Sequence, residues 1–248
     1  MIRLEHISKV FNAGTVAEVV ALKEINLAIK KGEFVTLIGS NGSGKSTLLN
    51  LLAGSVVPDT GKIYINTTEV SNLAEHRRSK WIARVFQNPL AGTAAELSIL
   101  ENFRLASIRS KPKSLAVGTN SAFRKHVRDK IGTLGLGLEN KLNQDMGTLS
   151  GGQRQALTIL MSVMDDAELL LLDEPTAALD PKTSELIMNL ADQLIRDHQL
   201  TAILVTHQLR DIPVYGSRVI QMAGGAVSRD IAGSEKAALK LADIYSWF

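Results

Sequence analysis

The chain reads as an α/β protein: a core built on a parallel sheet, with an antiparallel β subdomain at the amino terminus and an inserted helical subdomain. Three observations carry that reading. Phe34-Val35-Thr36-Leu37-Ile38 is a short, nearly continuous apolar run ending in a glycine-rich turn, as expected of a strand buried on both faces. Similar runs recur further on, separated by helical patterns, which is the alternation of an α/β core. Between residues 88 and 148 the alternation stops and helical periodicity replaces it, with no strand signal.

Taken in order, Ile2, Leu4 and Ile7 recur at or near period two, as do Ile25, Leu27 and Ile29, which predicts antiparallel strands. Residues 45–53 follow the glycine-rich turn as a helix closed by Gly54. Strands are expected at 82–86, 168–172, 202–205 and 218–222. The clearest helix is 181–197, where Leu186, Ile187, Leu190, Ala191, Leu194 and Ile195 form one stripe and Asp180-Pro181 supplies a cap with a first-turn proline. In the insertion, helices are expected at 96–107 and 122–134, with a polar connection at 110–121 whose stretch 111–120 is the expected mobile loop. The 248 residues thus make one domain, with residues 1–87 and 149–248 as core and 88–148 as helical insertion.

A hydrophobic share of 45% and a charged share of 21% describe an ordinary soluble globular chain and exclude disorder. No apolar run approaches the roughly 20 residues of a membrane span, and the amino terminus has no signal-peptide pattern. With no cysteine, disulfides and thiolate metal sites are excluded. The net charge of +3 is unevenly spread: residues 104–130 hold eight basic residues (Arg104, Arg109, Lys111, Lys113, Arg124, Lys125, Arg128, Lys130) against the single acid Asp129. That segment is either a solvated helix face or a contact for anionic lipid headgroups or an acidic partner loop.

Gly39-Ser40-Asn41-Gly42-Ser43-Gly44-Lys45-Ser46-Thr47 fits the phosphate-loop pattern completely and stands where the mechanism needs it, after a strand and opening a helix. The glycines let the backbone wrap a triphosphate so that amide N–H groups and the helix dipole face its oxygens. Lys45 would reach the β- and γ-phosphates of ATP and Ser46 would ligate Mg2+. The alternative is a plain glycine-rich turn.

Leu169-Leu170-Leu171-Leu172-Asp173-Glu174 is an apolar strand delivering two acids at its carboxyl end, where α/β sheets bind ligands. Asp173 would hold magnesium, directly or through water, and Glu174 would act as general base on the attacking water; the alternative is a solvated acidic turn. Leu149-Ser150-Gly151-Gly152-Gln153 adds a hydroxyl, two glycines and an amide that can approach an anion closely at a helix start. Alone it would pass for a serine-glycine turn.

In this order, residues 39–47, 149–153 and 169–174, with Ala178-Leu179-Asp180 and His207, resemble the ATP-binding cassette subunits of ABC transporters over essentially the whole chain. LSGGQ is that family's signature. The resemblance implies a P-loop NTPase core, ATP hydrolysis, and a head-to-tail dimer of two copies. In that dimer each ATP lies between the phosphate loop of one subunit and Ser150, Gly151, Gly152 and Gln153 of the other. It implies that Gln87, in Val85-Phe86-Gln87-Asn88-Pro89, joins Ser46 and Asp173 at the magnesium and senses the attacking water. His207, after Ile203-Leu204-Val205-Thr206, is the residue that contacts the γ-phosphate. Phe11, before Asn12-Ala13-Gly14, looks like the aromatic that stacks on adenine, a position commonly tyrosine, and its alternative is a core phenylalanine. Asp180 resembles the residue that couples the two composite sites, a role compatible with capping a helix. No catalytic motif departs from the family pattern, so both sites of a homodimer are expected to hydrolyse ATP.

Importers, exporters and non-transport members share this chemistry. Because the chain shows no membrane span, separate integral-membrane permease subunits are expected as partners, with the chain peripheral on the cytoplasmic face of the membrane. An extracytoplasmic solute-binding protein is an indirect partner, and nucleic acid is not expected. The short stretch after residue 225 lacks the regulatory domain that many sugar importers add. Ala177-Ala178-Leu179-Asp180-Pro181-Lys182-Thr183, with Val205-Thr206-His207 and Tyr215-Gly216-Ser217-Arg218, resembles a bacterial importer subgroup, some of whose members are associated with aromatic amino acids. The alternatives are the ATPase of a two-component exporter and a soluble non-transport ATPase. Cargo is not encoded in these residues, since a cassette does not touch it.

Overall fold

The computed structural model describes residues 1–111 and 118–248. Elements are numbered in chain order. β1 (Ile2–Phe11) and β2 (Val19–Ile29) pair antiparallel, with Ile2 opposite Ile29 and Leu4 opposite Leu27. Their period-two residues Ile2, Leu4, Ile7, Ile25, Leu27 and Ile29 are all buried, so the pattern is one face of a sheet laid on the core. β3 (Phe34–Ile38) is buried at every position and leads through the glycine-rich turn into α1 (Lys45–Ala53), which Gly54 closes in a left-handed conformation. β4 (Thr60–Ile65) and β5 (Thr68–Glu69), which the sequence did not announce, complete a first sheet in the order β2-β1-β4-β5.

The short helix α2 (Glu75–Arg78) precedes β6 (Ile82–Val85). Then follow α3 (Ile99–Ser107), α4 (Ser121–Gly132) and α5 (Gly151–Ser162). The remaining elements are β7 (Leu169–Asp173), α6 (Pro181–Asp197), β8 (Thr201–Val205), β9 (Arg218–Ala223), β10 (Ala226–Ala232), α7 (Gly233–Ala238) and α8 (Leu241–Tyr245). The second sheet has the order β10-β9-β3-β8-β7-β6; every pairing in it is parallel except that of the edge strand β10 with β9.

The central strands β3, β7 and β8 of the second sheet are buried on both faces, which explains the leucine run. Leu170 and Leu172 join Phe34, Ala202 and Leu204 in a cluster with the apolar faces of α3, α4, α5 and α6. Leu169 and Leu171 point the other way, into a cluster with Val35, Leu37, Ile203, α1 and the first sheet. Alternation along a strand sandwiched between two layers requires apolar residues at every position.

Several details differ from the sequence expectation: the helix expected over 122–134 runs Ser121–Gly132, and the strands expected at 82–86 and 168–172 run Ile82–Val85 and Leu169–Asp173. The helix expected over 96–107 begins at Ile99, because Ser98 and Glu101 form a reciprocal capping box that stops it there. On α6, Leu186 is exposed and Met188 is buried, because Leu186 lines a cleft beside residues 150–153. Within the basic segment Lys111 pairs with Asp165 at 3.9 Å, while Lys125 and Arg128 on α4 are exposed. Lys113 and most of the loop expected at 111–120 lie outside the described residues. Among the described residues no helix is long and apolar enough to cross a membrane.

Candidate functional site

The phosphate-loop turn depends on two glycines. Gly39 has φ 148°, and a Cβ there would stand 2.3 Å from the Met222 carbonyl oxygen. Gly44, the N-cap of α1 at φ 103°, would place a Cβ 2.6 Å from the Ala21 carbonyl oxygen. Only a residue without a side chain fits either place. α1 has no side-chain cap and no acid in its first turn, so its amino-terminal N–H groups keep their positive end open to an anion. Lys45 is buried and donates to the carbonyls of Gly39 at 2.8 Å and Ser40 at 3.0 Å. Burial pushes the Lys45 ammonium below its ordinary pKa, while Glu174 and Asp173 pull it back up. Ser43 Oγ is buried without a hydrogen-bond partner, a donor held in reserve inside the loop.

Because β6, β7 and β8 are neighbours and parallel, their carboxyl ends deliver their following residues to one place. Glu174, directly after β7, adopts a left-handed φ of 48°, uncommon for a residue with a side chain, and its N–H donates to the Val205 carbonyl at 3.1 Å. Its carboxylate meets His207 Nε2 at 2.7 Å through Oε1 and accepts from Gln87 Nε2 at 3.3 Å through Oε2. Thus two residues singled out from sequence, His207 and Gln87, converge on the carboxylate of a third, and Lys45 senses the same charge. Asp173 is paired with Arg84 at 2.7 Å.

Ser150 is the N-cap of α5. Its Oγ accepts from the Gln153 N–H at 3.3 Å, and its own N–H donates to Gln153 Oε1 at 3.2 Å. The pentapeptide is therefore a capping box opening a helix, not a linker. Arg154 fixes the approach to it by donating to the carbonyls of Met146, Gly147 and Leu149. Ser150, Gly151, Gly152 and Gln153 line a cleft of about 520 Å³ with Asp180, Thr183 and Leu186, and none of residues 39–47 reaches it. The structure does not bring these residues together with the phosphate loop of the same chain. Asp180 caps α6 through Thr183. Phe11 ends β1 with its ring exposed beneath Lys9 Nζ at 5.5 Å, which sets aside the core alternative.

The donor set fits magnesium. The Ser46 hydroxyl, Gln87 amide oxygen and Asp173 carboxylate are hard oxygen ligands, and among the described residues no group of three or more His, Cys, Asp or Glu could hold a metal alone.

Sequence reasoning missed Arg84, Arg154 and Gln155. The last is fully buried on α5, and its Nε2 donates to the Phe86 carbonyl at 3.2 Å, directly before Gln87. Strand register reveals the role of Arg84 and helix packing that of Gln155, whereas Arg154 acts on the turn just before its own helix.

The ABC transporter family model matches residues 22–177. The chain belongs to the ABC transporter ATP-binding cassettes. It is 38% identical over 252 aligned residues to the tyrosine transport ATP-binding protein of Clostridioides difficile, covering 100% of this chain and 98% of that protein. A macrolide export ATP-binding/permease protein, MacB of Campylobacter fetus, is 37% identical across 93% of the chain, which spans only 34% of that longer protein. The dimeric post-hydrolysis structure of the cassette MJ0796 bound to ADP and Pi superposes with a TM-score of 0.79 at 32% identity, covering 94% of this chain and 98% of that one. The cassette is an ATP-binding subunit and an ATPase, and cassettes of this kind dimerise.

Proposed function

We propose that this cassette powers import of a small solute, in the class of aromatic amino acids such as tyrosine, through separate permease subunits fed by a solute-binding protein. The observation that carries the reading is the end-to-end match with the tyrosine transport ATP-binding protein. The match with MacB favours export as a second reading, although it spans only about a third of that protein. Import and export separate in one experiment. The cassette is co-expressed with the multi-span membrane protein that co-purifies with it, and ATP-driven tyrosine movement is measured in vesicles of known orientation. Accumulation opposite to the cassette side sinks the import reading.

Two copies would meet head-to-tail on the cytoplasmic face of the membrane, with ATP between residues 39–47 of one and Ser150, Gly151, Gly152 and Gln153 of the other. The cleft beside Ser150 lacks any phosphate-loop residue of its own chain, which supports a site completed in trans. Phe11 offers its exposed ring to adenine, the loop amides and Lys45 take the phosphates, and Ser46, Gln87 and Asp173 would hold magnesium. When bound, that ion would neutralise charge on the phosphates. Glu174 takes the proton of the attacking water, and His207 and Gln87, both bonded to its carboxylate, hold it in place; His207 meets the γ-phosphate and Gln87 senses the attacking water. Asp180 couples the two sites. The helical subdomain around residues 87–101 passes closure of the dimer to short helices of the permease.

Glu174→Gln should reduce turnover about a hundredfold or more while ATP still binds; turnover near wild type removes Glu174 from its role. Mixing Ser150→Arg with Lys45→Ala should leave at most one intact composite site per dimer. Two independently active monomers contradict the shared site.

A further inference from the structure

Arg84 is the third residue of β6, opposite Leu171 in the parallel register, which carries its side chain to the end of β7. Nη2 donates to Asp173 Oδ2 at 2.7 Å, and the two side chains are only 12% and 15% exposed. The fork is half used: Nη2 donates to Asp173 while Arg84 Nε is buried without a partner. The guanidinium rests 4.7 Å over the Phe86 ring, next to Gln87. Lys45, the other cation of the site, donates instead to Gly39 and Ser40. A carboxylate this far out of water needs a positive partner, and Arg84 is the one that touches it.

We infer that Arg84 is a positioning residue for the metal aspartate: its guanidinium holds Asp173 Oδ2 where a divalent cation would take it, so the cation enters with the nucleotide and not alone. The inference rests on the assignment of Asp173 to magnesium. A metal arriving by itself must displace a bonded, partly buried guanidinium in a medium where charge is weakly screened. A metal arriving on ATP brings phosphate oxygens that complete its shell, and Arg84 can withdraw onto Phe86 without losing its aromatic contact.

The test is a titration of the nucleotide-free cassette with Mn2+, followed by the electron paramagnetic resonance signal of the free ion, with thermal melts to confirm folding. Arg84→Met should bind Mn2+ alone about tenfold or more tighter than wild type. Arg84→Lys, whose ammonium lacks the planar fork and stacks poorly, should fall between them. Equal or weaker binding by folded Arg84→Met overturns the inference. If that variant does not fold, Arg84→Lys decides, and an affinity equal to wild type overturns it. Asp173→Asn separates the two levels. Unchanged Mn2+ binding in the presence of ADP removes Asp173 from the metal and the inference with it, whereas lost binding there beside an unaffected Arg84→Met defeats the role of Arg84 alone.

Discussion

Gly152 of α5 and Thr183 of α6 touch so closely that a Cβ on the glycine would stand 2.4 Å from the threonine Cγ2. Thr183 is not free to retreat, since its N–H and Oγ1 donate to the Asp180 carboxylate at 3.1 Å and 2.6 Å. The signature turn and the Asp180 loop are thus one packed unit, and what Gly152 supplies is space. Gly152→Ala should overpack this contact, costing about 1–3 kcal/mol and lowering ATPase about tenfold. Thr183→Ser removes the methyl group and keeps the hydroxyl, so the double variant should recover most of the loss. Urea melts and ATPase rates of the four proteins complete the cycle, and simple additivity would exclude this contact as the cause.

A second link joins the signature helix to the Gln87 loop. Gln155 donates to the Phe86 carbonyl, but its own Oε1 is buried without a partner. Gln155→Met removes that orphaned oxygen and at the same time frees the Phe86 carbonyl, two changes of similar size and opposite sign. Stability should therefore stay within about 1 kcal/mol of wild type, while ATPase falls several-fold as the Gln87 loop loses its tether. A variant with a large stability loss and unchanged specific activity would make Gln155 a packing residue.

The uneven legibility of the sequence has a physical cause. The phosphate loop, the leucine run and the capping box at Ser150 are local: each is made by neighbours in sequence, and each appears in the structure with its elements in place. The period-two pattern of β1 and β2 was equally legible because one face of that sheet is buried. β5 was not, since two exposed residues, Thr68 and Glu69, carry no pattern. Arg84 and Gln155 were silent for another reason. Their partners lie 89 and 69 residues away along the chain and meet them only through strand register and helix packing. The cleft at Ser150 was legible only through resemblance, because half of its implied function belongs to another copy.

Arg78 should be the most sensitive stability position outside the site. It is fully buried with no carboxylate beside it, and donates to the carbonyls of Leu51, Leu52, Ser71 and Leu73. Two of these belong to the last turn of α1, where carbonyls have no intrahelical partner, so the guanidinium serves as a cap built from a distant residue. Burial pushes its pKa down to about 10. Arg78→Met strands four acceptors and should cost about 3 kcal/mol or more in urea melts. Arg78→Lys should recover only part, because one ammonium cannot span acceptors on several sides. A loss below about 1 kcal/mol would mean that water takes over the four carbonyls.

Asp211 gives the fold a pH dependence of its own. The residue is buried beside the His207 loop, where Thr206 Oγ1 donates to its Oδ2 at 3.2 Å. Burial raises its carboxyl above the usual range, opposed by the Thr206 hydrogen bond and the charge of Arg210. With the folded pKa above the unfolded one, the folded state holds the extra proton between the two values. Stability therefore falls as pH rises through that window, starting from the unfolded value near 3.8, and the full penalty remains at neutral pH. Asp211→Asn keeps an acceptor for Thr206 and removes the charge. Its urea midpoint should exceed that of wild type at pH 7, with the gap narrowing steadily toward pH 4. A gap independent of pH would assign the effect to packing, and a less stable Asp211→Asn at pH 7 would show that the charged form is the one the loop prefers.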